Sequence, residues 1–172
     1  MKNFLALVCI IFLSGTSGIC ADSTATAFRK NIIFLEAGGK GPVYSLNYER
    51  IFRQGKKLSY SYRLGFSILR EDFSVPVAFT AFTSPGSHHL ELSLGLTPEV
   101  HKYRTFLSGD NLSDKYLYIT PGIGYRYQKR EGRLMVSAGV SPLIFFDPPS
   151  DDVFNVKPEF KPSAQLALGF CF

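Results

Sequence analysis

Tryptophan is absent from this chain of 172 residues, methionine occurs twice and cysteine three times. Cys9 and Cys20 fall in what looks like a cleavable leader, which leaves Cys171 alone. One thiol makes no internal bridge, so a disulfide-stapled scaffold is excluded. Long apolar runs are missing as well. The longest, 4–13 (FLALVCIIFL), is too short for a comfortable membrane helix, and no other run approaches that length. Concentrated charge of one sign is the third absence. The 19 Lys and Arg against 14 Asp and Glu give a modest +5, and the basic residues are scattered along turns and loops. Without a basic stripe, a nucleic-acid partner is not expected.

What is present begins with export. Lys2, the apolar run 4–13 and the small residues of 14–21 (SGTSGICA) form a secretory signal over residues 1–21. Cleavage after Cys20 or after Ala21 fits equally. Cys20 also raises a lipoprotein alternative, which Ile19 disfavours, because a small residue normally precedes a lipidated cysteine. Residues 22–30 are a polar lead-in without periodicity, and 31–172 form one domain.

Alternation with period two then dominates, and it predicts strands over about 31–38, 43–52, 57–69, 74–83, 88–96, 116–128, 133–143 and 163–172. In the third, Leu58, Tyr60, Tyr62, Leu64, Phe66 and Ile68 alternate with Ser59, Ser61, Arg63, Gly65 and Ser67. In the last, Ala164, Leu166, Leu168, Phe170 and Phe172 oppose Ser163, Gln165, Ala167, Gly169 and Cys171. Strands of roughly ten residues are the length a tilted membrane-crossing strand needs. The connections after the second, fourth and sixth strands are tight turns, at 53–56, 84–87 and 129–132. Those after the third, fifth and seventh range from short to long, with 97–115 and 144–161 the longest. Pro121 interrupts an otherwise good strand and predicts a bulge or break there.

A soluble barrel would alternate in the same way, but its polar face would be hydrated and rich in Lys and Glu. Here that face is mostly Ser, Gly, Thr and Ala, which suit the crowded inside of a narrow barrel. The other face carries nearly all the Leu, Ile, Phe and Tyr, as a lipid-facing belt would. The expected fold is therefore all-β, an eight-stranded antiparallel up-and-down transmembrane β-barrel.

Signal, strand count, loop asymmetry and terminal Phe172 together resemble the small eight-stranded outer-membrane barrels typified by the transmembrane domain of OmpA and by OmpX, and especially the short barrel proteins of the Bacteroidota. The resemblance implies a bacterial outer-membrane location, contact with outer-membrane lipid, and recognition of the last strand by the barrel-assembly machinery, with Phe170 and Phe172 as the assembly signal. It implies both termini in the periplasm and the variable loops outside. It carries no signature of activity, and fold does not imply function.

The charged residues on the small face are Glu49, Arg63, Glu91, Arg126 and Arg133. An eight-stranded barrel has no wide channel, so these are expected to pair as a network filling the lumen, with a polar gate or ion path as the sharper alternative. His88 and His89 adjoin a tight turn, where solvation is expected. Neighbouring strand residues point opposite ways, so they make no metal pair. His101 lies in a long connection with Ser108, Asp110 and Asp114, the only hint of a lipid-modifying enzyme. Gly38–Gly41 precedes no helix and predicts a turn rather than a phosphate cradle. No cofactor or metal is expected. The favoured function is a structural or surface-interaction barrel with a largely plugged lumen, which meets an extracellular ligand or protein through its loops. Passage of small or apolar solutes is the alternative.

Overall fold

The computed structural model describes residues 27–41, 43–101, 115–146 and 159–172. The predicted signal, most of the lead-in and the centres of the two long connections lie outside them. Eleven strand segments follow in order: β1 (Asn31–Gly38), β2 (Tyr44–Gln54), β3 (Leu58–Leu69), β4 (Asp72–Ser74), β5 (Val77–Thr83), β6 (His88–His101), β7 (Lys115–Gln128), β8 (Leu134–Val140), β9 (Leu143–Phe146), β10 (Glu159–Lys161) and β11 (Ala164–Cys171). They build eight spans, because β4 with β5, β8 with β9, and β10 with β11 are each one strand interrupted in the middle. Each interruption contains a proline, at Pro76, Pro142 and Pro162. Proline has no N–H for the ladder and is tolerated only where pairing can lapse.

All pairings are antiparallel between neighbours in sequence, and β1 closes the ring on β11 from Ile32↔Cys171 to Gly38↔Gln165. The chain is thus a closed, all-β, eight-stranded up-and-down barrel, with no helix among the described residues. At the turn end, the terminal Phe172 exchanges backbone bonds with Asn31, at 2.8 and 3.2 Å, which fastens the last residue to the first strand.

Strand bounds depart from the sequence in informative ways. β6 runs to His101 rather than ending near 96, because 97–101 continues to pair, with β7 and with β4. β9 and β10 occupy the two ends of the predicted connection 144–161. β7 is not broken at Pro121. Its pairing with β6 is continuous through Leu94↔Pro121, and the break falls instead in its other neighbour, between β8 and β9.

The barrel is polar inside and apolar outside. Among the described residues, twenty-two buried residues are polar and nine are apolar. Leu90, Leu92, Leu94 and Leu96 of β6 are all exposed, as are Leu166, Leu168 and Phe170 of β11. Their neighbours Glu91 and Gln165 are buried. In water this distribution would be inverted. Leu64, half-buried, lies on the outer face of β3, beside buried Arg63.

Candidate functional site

The chemistry-bearing side chains converge on the lumen, where they stack in layers between the two ends. The layer at the turn end is apolar. Ile32, Ile51, Phe82, Met135 and Cys171 point inward from the strand ends, and Phe28 enters from the lead-in. The Phe28 backbone is clamped by Gln54: its N–H donates to Gln54 Oε1, and Gln54 Nε2 donates to its carbonyl, both at 2.9 Å. Its ring meets Phe82 and His89 edge-on, with centroids 5.7 and 5.3 Å away. The Arg130 guanidinium lies 5.0 Å from the ring centroid. So the end of the lead-in packs against the turn end of the barrel. His89, expected in a solvated turn, is buried here, with Nε2 3.0 Å from the Gln128 carbonyl oxygen. His88 faces outward and bonds the Tyr125 hydroxyl. Alternation puts the two histidines on opposite faces.

Above this floor sits Arg126, fully buried at 1% exposure. Its Nη1 donates to Glu49 Oε1 at 2.7 Å and to Glu91 Oε2 at 3.2 Å. Nε donates to Gln128 Oε1 at 2.9 Å, and the guanidinium covers Phe82 at 4.6 Å. The next layer is Arg63, whose Nη1 donates to Glu36 Oε2 at 2.7 Å. Arg63 lies opposite Glu49 in the β2–β3 register.

Lys40 closes the series. The β1–β2 turn, with positive φ at Gly38 and Gly39, folds into the mouth of the lumen. Only glycine takes such φ values without strain. The Lys40 N–H donates to Glu36 Oε1 at 3.1 Å, and its carbonyl accepts from Thr97 Oγ1 at 2.7 Å. Its Nζ donates to Gln165 Oε1 at 3.2 Å, an oxygen that also accepts from Ser141 Oγ at 2.8 Å. Three cations, Lys40, Arg63 and Arg126, therefore stand among three carboxylates, Glu36, Glu49 and Glu91. Burying such groups is tolerable only in mutual compensation.

Of the residues expected in the lumen, the structure brings together Glu49, Arg63, Glu91 and Arg126. Arg133 does not join them. It precedes β8, is exposed at the turn end, and lays its guanidinium 5.8 Å from the Phe170 ring centroid. Alternation assigns a face only within a strand, and Arg133 stands just before one. Glu36 and Lys40 were missed. Glu36 has the right parity on β1, but a turn residue that folds inward, such as Lys40, leaves no periodic signal.

At the loop end, β4, β9, β10 and the ends of β6 and β7 extend the wall. His101 Nδ1 bonds the Asp72 carboxylate, its register partner. Buried Glu99 accepts from Tyr118 Oη at 3.5 Å. Ser108, Asp110 and Asp114, expected beside His101, lie outside the described residues.

A closed ring of strands with an apolar outer belt and a charge-compensated interior defines an eight-stranded barrel of the membrane kind, by the requirement that lipid leave no backbone group unpaired. No protein-family model matches the chain, and no curated protein matches it. Among solved structures, it is similar to the N-terminal β-barrel domain of Pseudomonas aeruginosa OprF, at 15% identity and a TM-score of 0.48, over 83% of this chain and 98% of that one.

Proposed function

We propose that this chain is an integral outer-membrane barrel that works as a structural or surface-interaction protein, with a lumen filled by side chains and its outward loops meeting partners. The observation that carries the proposal is the inverted distribution of polarity: leucines line the outside while arginines and glutamates fill the inside. The lumen layers support the filled interior, since Phe28, Arg126, Arg63 and Lys40 occupy successive levels. Strand residues are committed to lipid or to that interior, which leaves the loops to meet soluble partners. On this proposal the tight turns face the periplasm, and the connections containing 102–114 and 147–158 face outward.

The test has two parts. The protein should remain in membranes after carbonate washing and migrate differently on gels with and without heating. Purified protein in planar bilayers should show no steady conductance. Recovery as a soluble monomer without detergent would refute the membrane location, and stable open channels would refute the filled lumen in favour of solute passage.

A further inference from the structure

The Lys and Arg that are scattered in sequence are gathered by the topology. The lead-in, Phe172 and the connections 53–56, 84–87 and 129–132 all meet at the turn end. Arg29 and Lys30 arrive there from the lead-in, with Arg50, Arg53, Lys56 and Lys57 from around the first of these turns. Lys129, Arg130 and Arg133 come from around the third. Against these nine cations, the one exposed acid described at that end is Glu131. The other end is opposite in sign: the sequences 102–114 and 147–158 together hold three Lys or Arg and five Asp.

Most of the turn-end charge is uncompensated. Arg29 Nε donates to the Glu131 carbonyl at 3.2 Å, and Arg130 Nη2 donates to the Ser84 carbonyl at 3.1 Å. The other seven form no ion pair among the described residues, whereas Arg63 and Arg126 in the lumen each face a carboxylate. Six of the seven are exposed, and Arg50 is half-buried. Crowded like charges repel one another and raise the local concentration of counter-ions.

Their level on the barrel says which counter-ion. Arg50 shares the outward parity of Tyr48 and Phe52 and stands opposite Tyr62 in register. The Phe52 ring lies among those of Tyr60, Tyr62 and Phe79, with centroids 6.4, 6.2 and 5.9 Å away. Across β1, the Arg133 guanidinium reaches the ring of Phe170, an exposed member of the outer belt. Around β6 and β7 the band continues, with His88 at 5.9 Å from Tyr125 and 5.3 Å from Tyr127 between ring centroids. Aromatic girdles of membrane barrels mark the interface with water. Arg50 and Arg133 are therefore set against outer-face rings at that level, and the remaining cations stand around the rim beyond it.

We infer that the turn-end collar is a docking surface for anionic phospholipid headgroups, which it gathers around the barrel in the leaflet at that end. Resting on the proposal that the outer face lies in lipid, the collar meets headgroup phosphates at the edge of the belt. Charge complementarity selects the anionic lipid over the zwitterionic one. The placement of Arg50 and Arg133 on the outer wall selects a lipid over a soluble anion. The attraction accumulates with each basic side chain and fades within a Debye length.

The absence of tryptophan makes the test site-specific. Phe170→Trp, beside Arg133, is compared with Phe160→Trp, which lies at the other end of the same span beside the charge-balanced Lys161–Glu159 pair. Each is reconstituted in vesicles that mix phosphatidylglycerol and phosphatidylcholine in both leaflets, with one lipid or the other dibrominated. Quenching at position 170 should show a preference for phosphatidylglycerol of at least about threefold, and quenching at position 160 should show none. Salt at about 1 M, which shortens the Debye length to about 3 Å, should abolish the preference. So should the combined variant Arg50→Gln, Arg53→Gln, Lys56→Gln, Lys57→Gln and Arg133→Gln, whereas Arg50→Lys with Arg133→Lys should keep it. No preference at position 170, an equal one at position 160, or one untouched by the five glutamines would overturn the inference. Binding of soluble polyphosphate without any lipid preference at position 170 would assign the collar to a soluble polyanion and overturn it too. Failure of the parent protein to insert, seen as loss of heat-dependent gel migration, would instead refute the membrane proposal beneath it.

Discussion

Replacing Arg126 by methionine isolates the energetics of the lumen. The substitution keeps a long side chain that can still lie over Phe82, but it removes the donors at 2.7 and 3.2 Å from Glu49 and Glu91. It also removes the donor that Nε offers to Gln128 Oε1. The nearest other cation in register is Arg63, opposite Glu49 but bonded to Glu36 at 2.7 Å. Two carboxylates are then left without their cation inside a ring of strands. Breaking a buried pair by deleting one partner costs about 3–5 kcal/mol, against about 0–1 kcal/mol for a solvated one. The expected loss for Arg126→Met is therefore about 3–5 kcal/mol. The triple variant that adds Glu49→Gln and Glu91→Gln should recover much of it, because the orphaned charges go with their partner. Urea titration in vesicles, followed by heat-dependent gel migration, measures both. A loss below about 1 kcal/mol for Arg126→Met, with no recovery in the triple variant, would mean that water screens the network and that the lumen is open to it.

Three further outcomes follow from the same structure. Leu92→Arg places a charge on the outer belt, where Leu92 is 52% exposed, and should cost about 2–4 kcal/mol in the same titration. Gly139→Ala should destabilise by about 1–3 kcal/mol, because its methyl would meet Ile123 O at 2.5 Å and Gly124 Cα at 2.7 Å, both backbone atoms that cannot step aside. Phe28→Ala removes the ring that fills the turn end and should cost about 3–5 kcal/mol; planar-bilayer recordings should also show brief openings that the parent protein lacks.

Much of the barrel is legible in the sequence because alternation reports a face directly. The outer leucines of β6 and β11, the buried Arg63, Glu91 and Gln165, and closure by the last strand all follow from period two. What escapes alternation depends on how chain segments meet. Phe28 gains its role only once Gln54 and Phe82 surround it, and the lead-in has no period of its own. Lys40 is buried because two glycines let its turn fold inward, whereas a lysine between glycines in a sequence signals a solvated loop. His89 shares the parity of Glu91, so its burial was available from the strand pattern, and its closeness to a turn concealed it. Arg133 errs in the opposite direction, with lumen parity but a place just outside β8. The prolines are visible one by one, but the alignment of Pro121 in β7 with Pro142 in the β8–β9 break and Pro162 in the β10–β11 break appears only with the register.

The central claim is that the leucine face of the barrel lies in lipid. Spin labels placed singly at Leu90, Leu92, Leu94 and Leu96 in vesicles test it through collision with oxygen, which concentrates in the bilayer, and with a water-soluble nickel chelate. Oxygen collisions should exceed chelate collisions at all four positions, with the ratio highest at Leu92 and Leu94 and falling towards both ends. Free access of the chelate at Leu92 and Leu94 would place that face in water and contradict it.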